Sequence, residues 1–175
     1  LFYLFLSLYF LSLYVLIYFP NRRNFFDYPK PRKKYSVDII VPCYNEGETI
    51  EGTVRSILDS GYRNLNKVIV VDDCSKDNSY QIIKELSKKY SKVMALKTPK
   101  NTGCAAGSKN YGAKFSHSEL IGFSDGDSFI NEDSINRMVG FFNDEKVGAV
   151  TPMILVKNQS SFFQKIQSIE YRIIS

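Results

Sequence analysis

Residues 37–71 read VDIIVPCYNEGETIEGTVRSILDSGYRNLNKVIVV, and the fold follows from them. Val37 to Val41 is a short apolar run ended by Pro42, which predicts a buried strand. Asn45 can cap the helix that follows. Its apolar residues Ile50, Val54, Ile57 and Leu58 recur at helical spacing until Gly61 stops it. Lys67 to Val71 is a second strand. Two strands joined through a helix make a unit whose strands run parallel.

Toward the C-terminus the alternation continues. Asp77 or Asn78 caps a helix carrying Ile82, Ile83, Leu86 and Tyr90, and Val93 to Leu96 is a third strand. A helix around Ala105 to Phe115 leads to a fourth strand, Leu120 to Phe123. A helix near Asp133 to Phe142 and a fifth strand, Val147 to Val150, complete the pattern. This alternation predicts one α/β domain: a Rossmann-like, mostly parallel sheet with helices on both faces.

Toward the N-terminus the character changes. Leu1 to Phe19 is apolar except for Ser7 and Ser12, and as a helix it would span roughly 28 Å, close to the ~30 Å hydrocarbon core of a bilayer. Tyr14, Tyr18 and Phe19 lie near one end, where an aromatic belt forms, and Pro20 closes the segment. Residues 1–19 are therefore expected to be a transmembrane helix, 20–35 a basic juxtamembrane linker and 36–175 the folded domain. A signal peptide fits less well, because the run exceeds the usual apolar core and no small-residue cleavage site follows. The chain opens on Leu1 and stops at Ser175 in a helical pattern, so a fragment is expected.

The net charge of +5 in 175 residues suggests nucleic acid until it is located. Arg22, Arg23, Lys30, Arg32, Lys33 and Lys34 face only Asp27 in residues 22–34, while residues 35–175 hold seventeen basic and seventeen acidic side chains. The excess beside an apolar helix predicts a cytoplasmic domain by the positive-inside rule, not a nucleic-acid surface. Cys43, Cys74 and Cys104 form no CxxC pair and read as reduced thiols. The single histidine, His117, excludes a histidine-rich metal site and reads as a turn residue between Ser116 and Ser118.

In parallel sheets, ligands bind beyond the carboxyl ends of the strands. There the chain carries Pro42-Cys43-Tyr44-Asn45-Glu46, Asp72-Asp73-Cys74-Ser75, Asn101-Thr102-Gly103 and Asp125-Gly126-Asp127. Asp125 and Asp127, with only glycine between them, can reach one hard cation, and oxygen ligands suit Mg²⁺ or Mn²⁺ bridging to a diphosphate. Tyr44 can stack on a base, Asp73 can accept from an imide N–H, and Lys109 can pair with phosphate. Singly, each has an ordinary structural explanation; Asp-x-Asp is common in surface turns. An EF-hand is excluded, because Phe129 replaces an oxygen ligand and Ile130 stands where glycine is required. No P-loop and no GxGxxG is present.

Val37–Glu46 (VDIIVPCYNE), Val70–Asp77 (VVDDCSKD), Asn101–Gly112 (NTGCAAGSKNYG) and Ser124–Ser128 (SDGDS) together resemble the successive motifs of family 2 inverting glycosyltransferases, across roughly residues 36–155. The resemblance implies a GT-A fold, a nucleoside-diphosphate sugar donor, a glycan or lipid acceptor and a Mg²⁺ or Mn²⁺ cofactor. It implies that Pro42, Tyr44 and Glu46 line the nucleoside pocket and that Asp73 binds the base. Lys109 would face the phosphates or base, Asp125 would sit near ribose and metal, and Asp127 would coordinate the metal. Cys74 stands where the family usually has glycine. The segment Phe162–Tyr171 resembles the one preceding the acceptor half in processive, membrane-bound members such as hyaluronan, chitin, cellulose and poly-N-acetylglucosamine synthases. As a helix it would present Phe162, Ile166, Ile169 and Ile173 on one side. The family's general base would lie beyond Ser175. A nucleotidyltransferase would carry a Gly-rich basic loop after the first strand, which is absent; a nucleotide-sugar-binding pseudoenzyme is the other alternative. Asn158-Gln159-Ser160 matches a glycosylation pattern that a cytoplasmic location would leave unused.

Overall fold

The computed structural model describes residues 1–22, 28–152, 154–156, 161 and 163–168. Four strands, β1 (Val37–Cys43), β2 (Leu65–Asp72), β3 (Val93–Lys97) and β4 (Leu120–Phe123), form one parallel sheet in the order β3-β2-β1-β4. Ahead of them runs α1 (Phe2–Asn21), and between and after them run α2 (Ile50–Leu58), α3 (Ser79–Lys89), α4 (Ala105–Ala113) and α5 (Ser134–Val139). A 3₁₀ turn, Gly140–Asn143, continues α5.

All seven residues of β1 are buried, because it lies between β2 and β4 and is covered on both faces. The strand period of two sorts its side chains. Ile39 and Val41, with Val68 and Val70 of β2, meet Ile50, Val54 and Ile57 of α2 and Ile83 and Leu86 of α3. Ile40, Ile69 and Val71 point the other way, under Tyr111 and Ala113 of α4. Each such Val or Ile side chain contributes roughly 1.5–3 kcal/mol of burial. α4 approaches the sheet closely through Gly112, where a Cβ would come within 2.8 Å of both Ile40 Cγ2 and Val71 Cγ2.

Several sequence expectations need correction. Pro42 does not end β1 but lies inside it, paired with Val71. Ser124 N donates to Ile40 O toward β4, and Asp73 N donates to Cys43 O toward β2. Pro42 therefore faces the β4 side, where pairing has already stopped at Ile40, and its missing N–H costs the ladder nothing. Asn45 caps no helix: it has φ 55°, and Thr49 occupies the N-cap of α2. At α3, Asn78 is the N-cap residue without a side-chain bond, while Asp77 Oδ1 accepts from Ser79 N and Ser79 Oγ. The helix α4 ends at Ala113, short of Phe115, and the helix near 133–142 divides into α5 and the 3₁₀ turn. Val147 to Val150 forms no strand; Val147 N closes a turn on Asp144 O, Gly148 and Ala149 are exposed, and Val147 and Val150 are only half-buried. Of the expected helical face near the C-terminus, residues 163–168 are helical, whereas Phe162, Ile169, Tyr171 and Ile173 lie outside the described residues, as do Arg23, Asp27 and Asn158–Ser160.

Asp38 explains how the far end of the sheet is tied. It is 1% exposed, at a register shift that leaves Asn66 between the paired positions Leu65 and Lys67. Its Oδ1 accepts from Asn66 Nδ2 (3.0 Å) and Lys67 N (2.9 Å); its Oδ2 accepts from Ser116 Oγ (2.7 Å) and His117 N (3.2 Å). Burial alone would raise this carboxyl, but the bonds from Ser116, Ser118, His117 and Asn66 hold it below its usual value. His117 itself is exposed in its turn.

Of the helices among the described residues, α1 is long and apolar enough to cross a membrane, with mean hydropathy 2.0 over Phe2–Pro20 and no burial against the domain. It runs one residue past Pro20 instead of stopping there. Its two serines bond within the helix, Ser7 Oγ to Tyr3 O and Ser12 Oγ to Tyr9 O, so neither presents an unsatisfied hydroxyl. The expected linker is partly docked. Asn143 Nδ2 donates to Lys30 O, Arg32 N donates to Asn143 Oδ1, and Lys33 pairs with Glu119 at 2.6 Å.

Candidate active site

The four loops at the carboxyl end of the sheet enclose one open cavity of about 480 Å³. Pro42 enters from the end of β1, Tyr44 and Glu46 from the loop after it, Asp73 from the loop after β2, Asn101 and Gly103 from the loop after β3, and Asp125, Gly126 and Asp127 from the loop after β4. Six of the seven residues singled out in the sequence thus line it, and the seventh, Lys109, reaches it through an ion pair of 2.8 Å with Asp125 Oδ1. Cys43, Cys104, Ala105 and Ser108 complete the wall.

Tyr44 is exposed at the rim, with its ring free to lie against a flat ligand. Asp73 sits deeper, at 5% exposure. Its Oδ1 accepts from Thr98 Oγ1 (2.7 Å) and Thr102 N (2.9 Å), and its Oδ2 from Thr102 Oγ1 (2.7 Å). Burial works against its charge, but the bonds from Thr102 and Thr98 prevail and lower its pKa, so it is an anion at neutral pH. Asn101 Nδ2 donates to Asp73 O, so the loop after β3 closes over this residue.

Glu46 is the unusual acid. Its Oε2 is buried without a hydrogen-bond partner, against the backbone of Gly126, where a Cβ would collide with it. Burial, followed by the charges of Asp127, Asp125 and Asp77, pushes its carboxyl up to about 7. Glu46, Asp125 and Asp127 thus crowd one side of the cavity, and Lys109 offsets them there through its pair with Asp125. Among the described residues, no group of three or more His, Cys, Asp or Glu side chains stands ready-made to hold a metal. What the loop offers is two exposed carboxylates, Asp125 and Asp127, in surplus negative potential.

Sequence reading missed the residues that hold this loop. Thr53, fully buried on α2, donates from Oγ1 to Gly126 O at 2.8 Å, and Ser56 Oγ accepts from Ile130 N at 3.0 Å. Hydroxyls on a helix facing the core were the only available signal. Thr98 and Thr102, which fix Asp73, carried none until the loops were seen together.

Comparison with known proteins gives consistent results. The family model described as Glycosyl transferase family 2 matches residues 38–174. The poly-beta-1,6-N-acetyl-D-glucosamine synthase of Staphylococcus aureus (strain COL) is 32% identical over 136 residues, which are 77% of this chain and 32% of that protein. That of Staphylococcus epidermidis is 35% identical over 137 residues, with the same coverage of each. The chain therefore spans about a third of the length of these relatives. Among solved structures, S. aureus TarS in complex with UDP-GlcNAc superposes with TM-score 0.57 and 24% identity, covering 70% of this chain and 38% of that one. The mannosyltransferase PcManGT of Pyrobaculum calidifontis, in complex with GDP-Man and Mn²⁺, gives TM-score 0.64 and 22% identity, covering 83% and 44%. These likenesses establish a GT-A-like fold.

Proposed function

Because the chain belongs to glycosyl transferase family 2, we propose that it is the nucleotide-sugar-binding part of a membrane-anchored glycosyltransferase. The donor is a nucleoside-diphosphate sugar, with UDP favoured, and the acceptor is a glycan or lipid. The observation that carries this reading is the meeting of Tyr44, Asp73, Asp125 and Asp127 around one cavity at the carboxyl end of a parallel sheet. Relatives that are poly-beta-1,6-N-acetyl-D-glucosamine synthases, and the UDP-GlcNAc and GDP-Man bound to fold neighbours, support a nucleotide-sugar donor.

In this reading Tyr44 stacks on the base, while Asp73 accepts its imide N–H beside the bonds from Thr102. Pro42 and Glu46 complete the nucleoside wall. Asp125 and Asp127 fit a Mg²⁺ or Mn²⁺ ion in chemistry, since both are exposed hard oxygen donors in negative potential, and the donor diphosphate supplies further oxygens. Such an ion, when bound, neutralises charge on the departing diphosphate. Lys109 then turns from Asp125 toward phosphate, where its point charge serves the same end. Transfer inverts the anomeric centre, and the part this chain plays in it is to bind the donor. The helix α1 anchors the domain at the cytoplasmic membrane face.

The test is a calorimetric titration of the chain with UDP in the presence and absence of Mn²⁺. Binding should be metal-dependent and should weaken by about tenfold or more in Asp127→Asn. Metal-independent binding, or an unchanged Asp127→Asn, contradicts the metal assignment.

A further inference from the structure

The cavity's two nucleoside-side loops are stitched together, and the stitching centres on Asn45. Three successive backbone amides of the first loop donate to side chains of the second loop and of the first residue of α3. Asn45 N bonds Ser75 Oγ at 3.0 Å, Glu46 N bonds Ser79 Oγ at 2.9 Å, and Gly47 N bonds Asp77 Oδ2 at 3.0 Å. One bond returns: Lys76 N donates to Asn45 Oδ1 at 2.8 Å. The loops touch closely enough that a Cβ on Gly47 would fall 2.2 Å from Asn78 Oδ1.

Among the described residues, the two non-glycine positions with positive φ are Asn45 (55°) and Cys74 (63°), one in each loop. Each directly follows a cavity residue, Tyr44 in the first loop and Asp73 in the second. A left-handed residue reverses the chain's course at once and so sets where its predecessor points, at a cost of about 1–2 kcal/mol that the surroundings must sustain. Asparagine tolerates that conformation better than most residues, and here its side chain also supplies the return bond.

We propose that Asn45 is a positioning residue. It locks the loops after β1 and β2 into one body, so that Tyr44 and Asp73 hold a fixed separation before the nucleotide arrives. Pre-set geometry lowers the ordering cost of binding, so its loss appears in affinity more than in stability. The proposal rests on the donor-binding reading above.

The experiment titrates UDP with Mn²⁺ into the full chain and its variants, and records each melting temperature. Asn45→Gly keeps the left-handed backbone and removes Oδ1; it should lower UDP affinity on the order of tenfold while the melting temperature moves by only a few degrees. Asn45→Asp, which retains the acceptor, should restore most of that affinity. Ser75→Ala removes the partner hydroxyl from the other loop and should weaken binding in the same direction, even if Asn45→Gly folds poorly. Wild-type affinity in Asn45→Gly overturns the proposal, as does failure of Asn45→Asp to restore binding. Lost affinity that only follows lost melting temperature across all three variants also overturns it. A wild-type chain that binds no nucleotide overturns the donor reading itself, and the clasp with it.

Discussion

Asp73 and Glu46 are two carboxyls of one cavity whose acidities are shifted in opposite directions. Asp73 is buried but surrounded by donors, which lower its pKa; Glu46 is half-buried beside other anions, which push its carboxyl up to about 7. Asp73→Asn would point an amide N–H₂ at groups that now donate to it. It should lower UDP affinity by about tenfold and stability by about 1–2 kcal/mol, measured by calorimetry and denaturant unfolding. Glu46 gives a pH signature. Its folded pKa, about 7, lies above the ordinary 4.5, so the folded chain holds this proton more tightly than the unfolded one. Its contribution to stability is complete below about pH 4.5 and is lost as pH rises through 7. Glu46→Gln should flatten that fall, read from unfolding free energies between pH 5 and 8. The lowered carboxyls, Asp38 and Asp73, act in the opposite sense and only below their usual value near 3.8. The candidate site was legible at this scale because its residues carry rare chemistry at strand ends. Thr53, Thr98 and Thr102 were not, because a hydroxyl on a helix or in a loop looks the same whether or not it props a functional group.

Element by element, strand and helix periodicity located what the sheet buries and failed where an element's end depends on its neighbours. Leu120 to Phe123 was read to the residue, because its run is short and bounded. Pro42 misled because proline ends a strand only when its nitrogen faces a partner, and here the partner strand had already stopped. Asn45 looked like a helix cap because the cross-loop bond that uses its side chain is invisible in one dimension. Val147 to Val150 had the composition of a strand without a strand to pair with. Two glycines provide tests. Gly61 has φ 68°, so Gly61→Ala should cost about 1–2 kcal/mol. Gly112→Ala forces a methyl against Ile40 and Val71 and should cost about 1–3 kcal/mol, with α4 shifted off the sheet. Asp38→Ala strips a buried acceptor of four bonds at the end of β1 remote from the cavity. Chemical denaturation should show a loss of about 2–4 kcal/mol, with UDP affinity little changed in the folded fraction.

At the level of the whole molecule, the neutral total for residues 35–175 conceals a polarity that charge counting missed. Residues 76–100 hold seven exposed lysines against two acids, Asp77 and Glu85; the lysines line α3 and the open edge of β3, where Lys97 pairs with the buried Asp72 at 3.6 Å. Lysines there discourage strand addition at the sheet edge, while the acidic surplus lies elsewhere in the domain, part of it at the cavity. Membrane topology is testable with native thiols. Cys104 is exposed, whereas Cys43 is buried with its thiol pushed up to about 12 by that burial, so it should not react. A membrane-impermeant maleimide should label Cys104 in inside-out vesicles and not in intact cells; labelling in intact cells contradicts a cytoplasmic domain. In the proposed reading, four loops of one parallel sheet grip a single nucleotide sugar and its cation. A crystal structure of the chain with UDP and Mn²⁺ would show whether they do. Uracil should lie against Tyr44 and Asp73, with an anomalous manganese peak ligated by Asp127. Nucleotide bound outside this cavity, or manganese away from the Asp125–Asp127 loop, would contradict that reading.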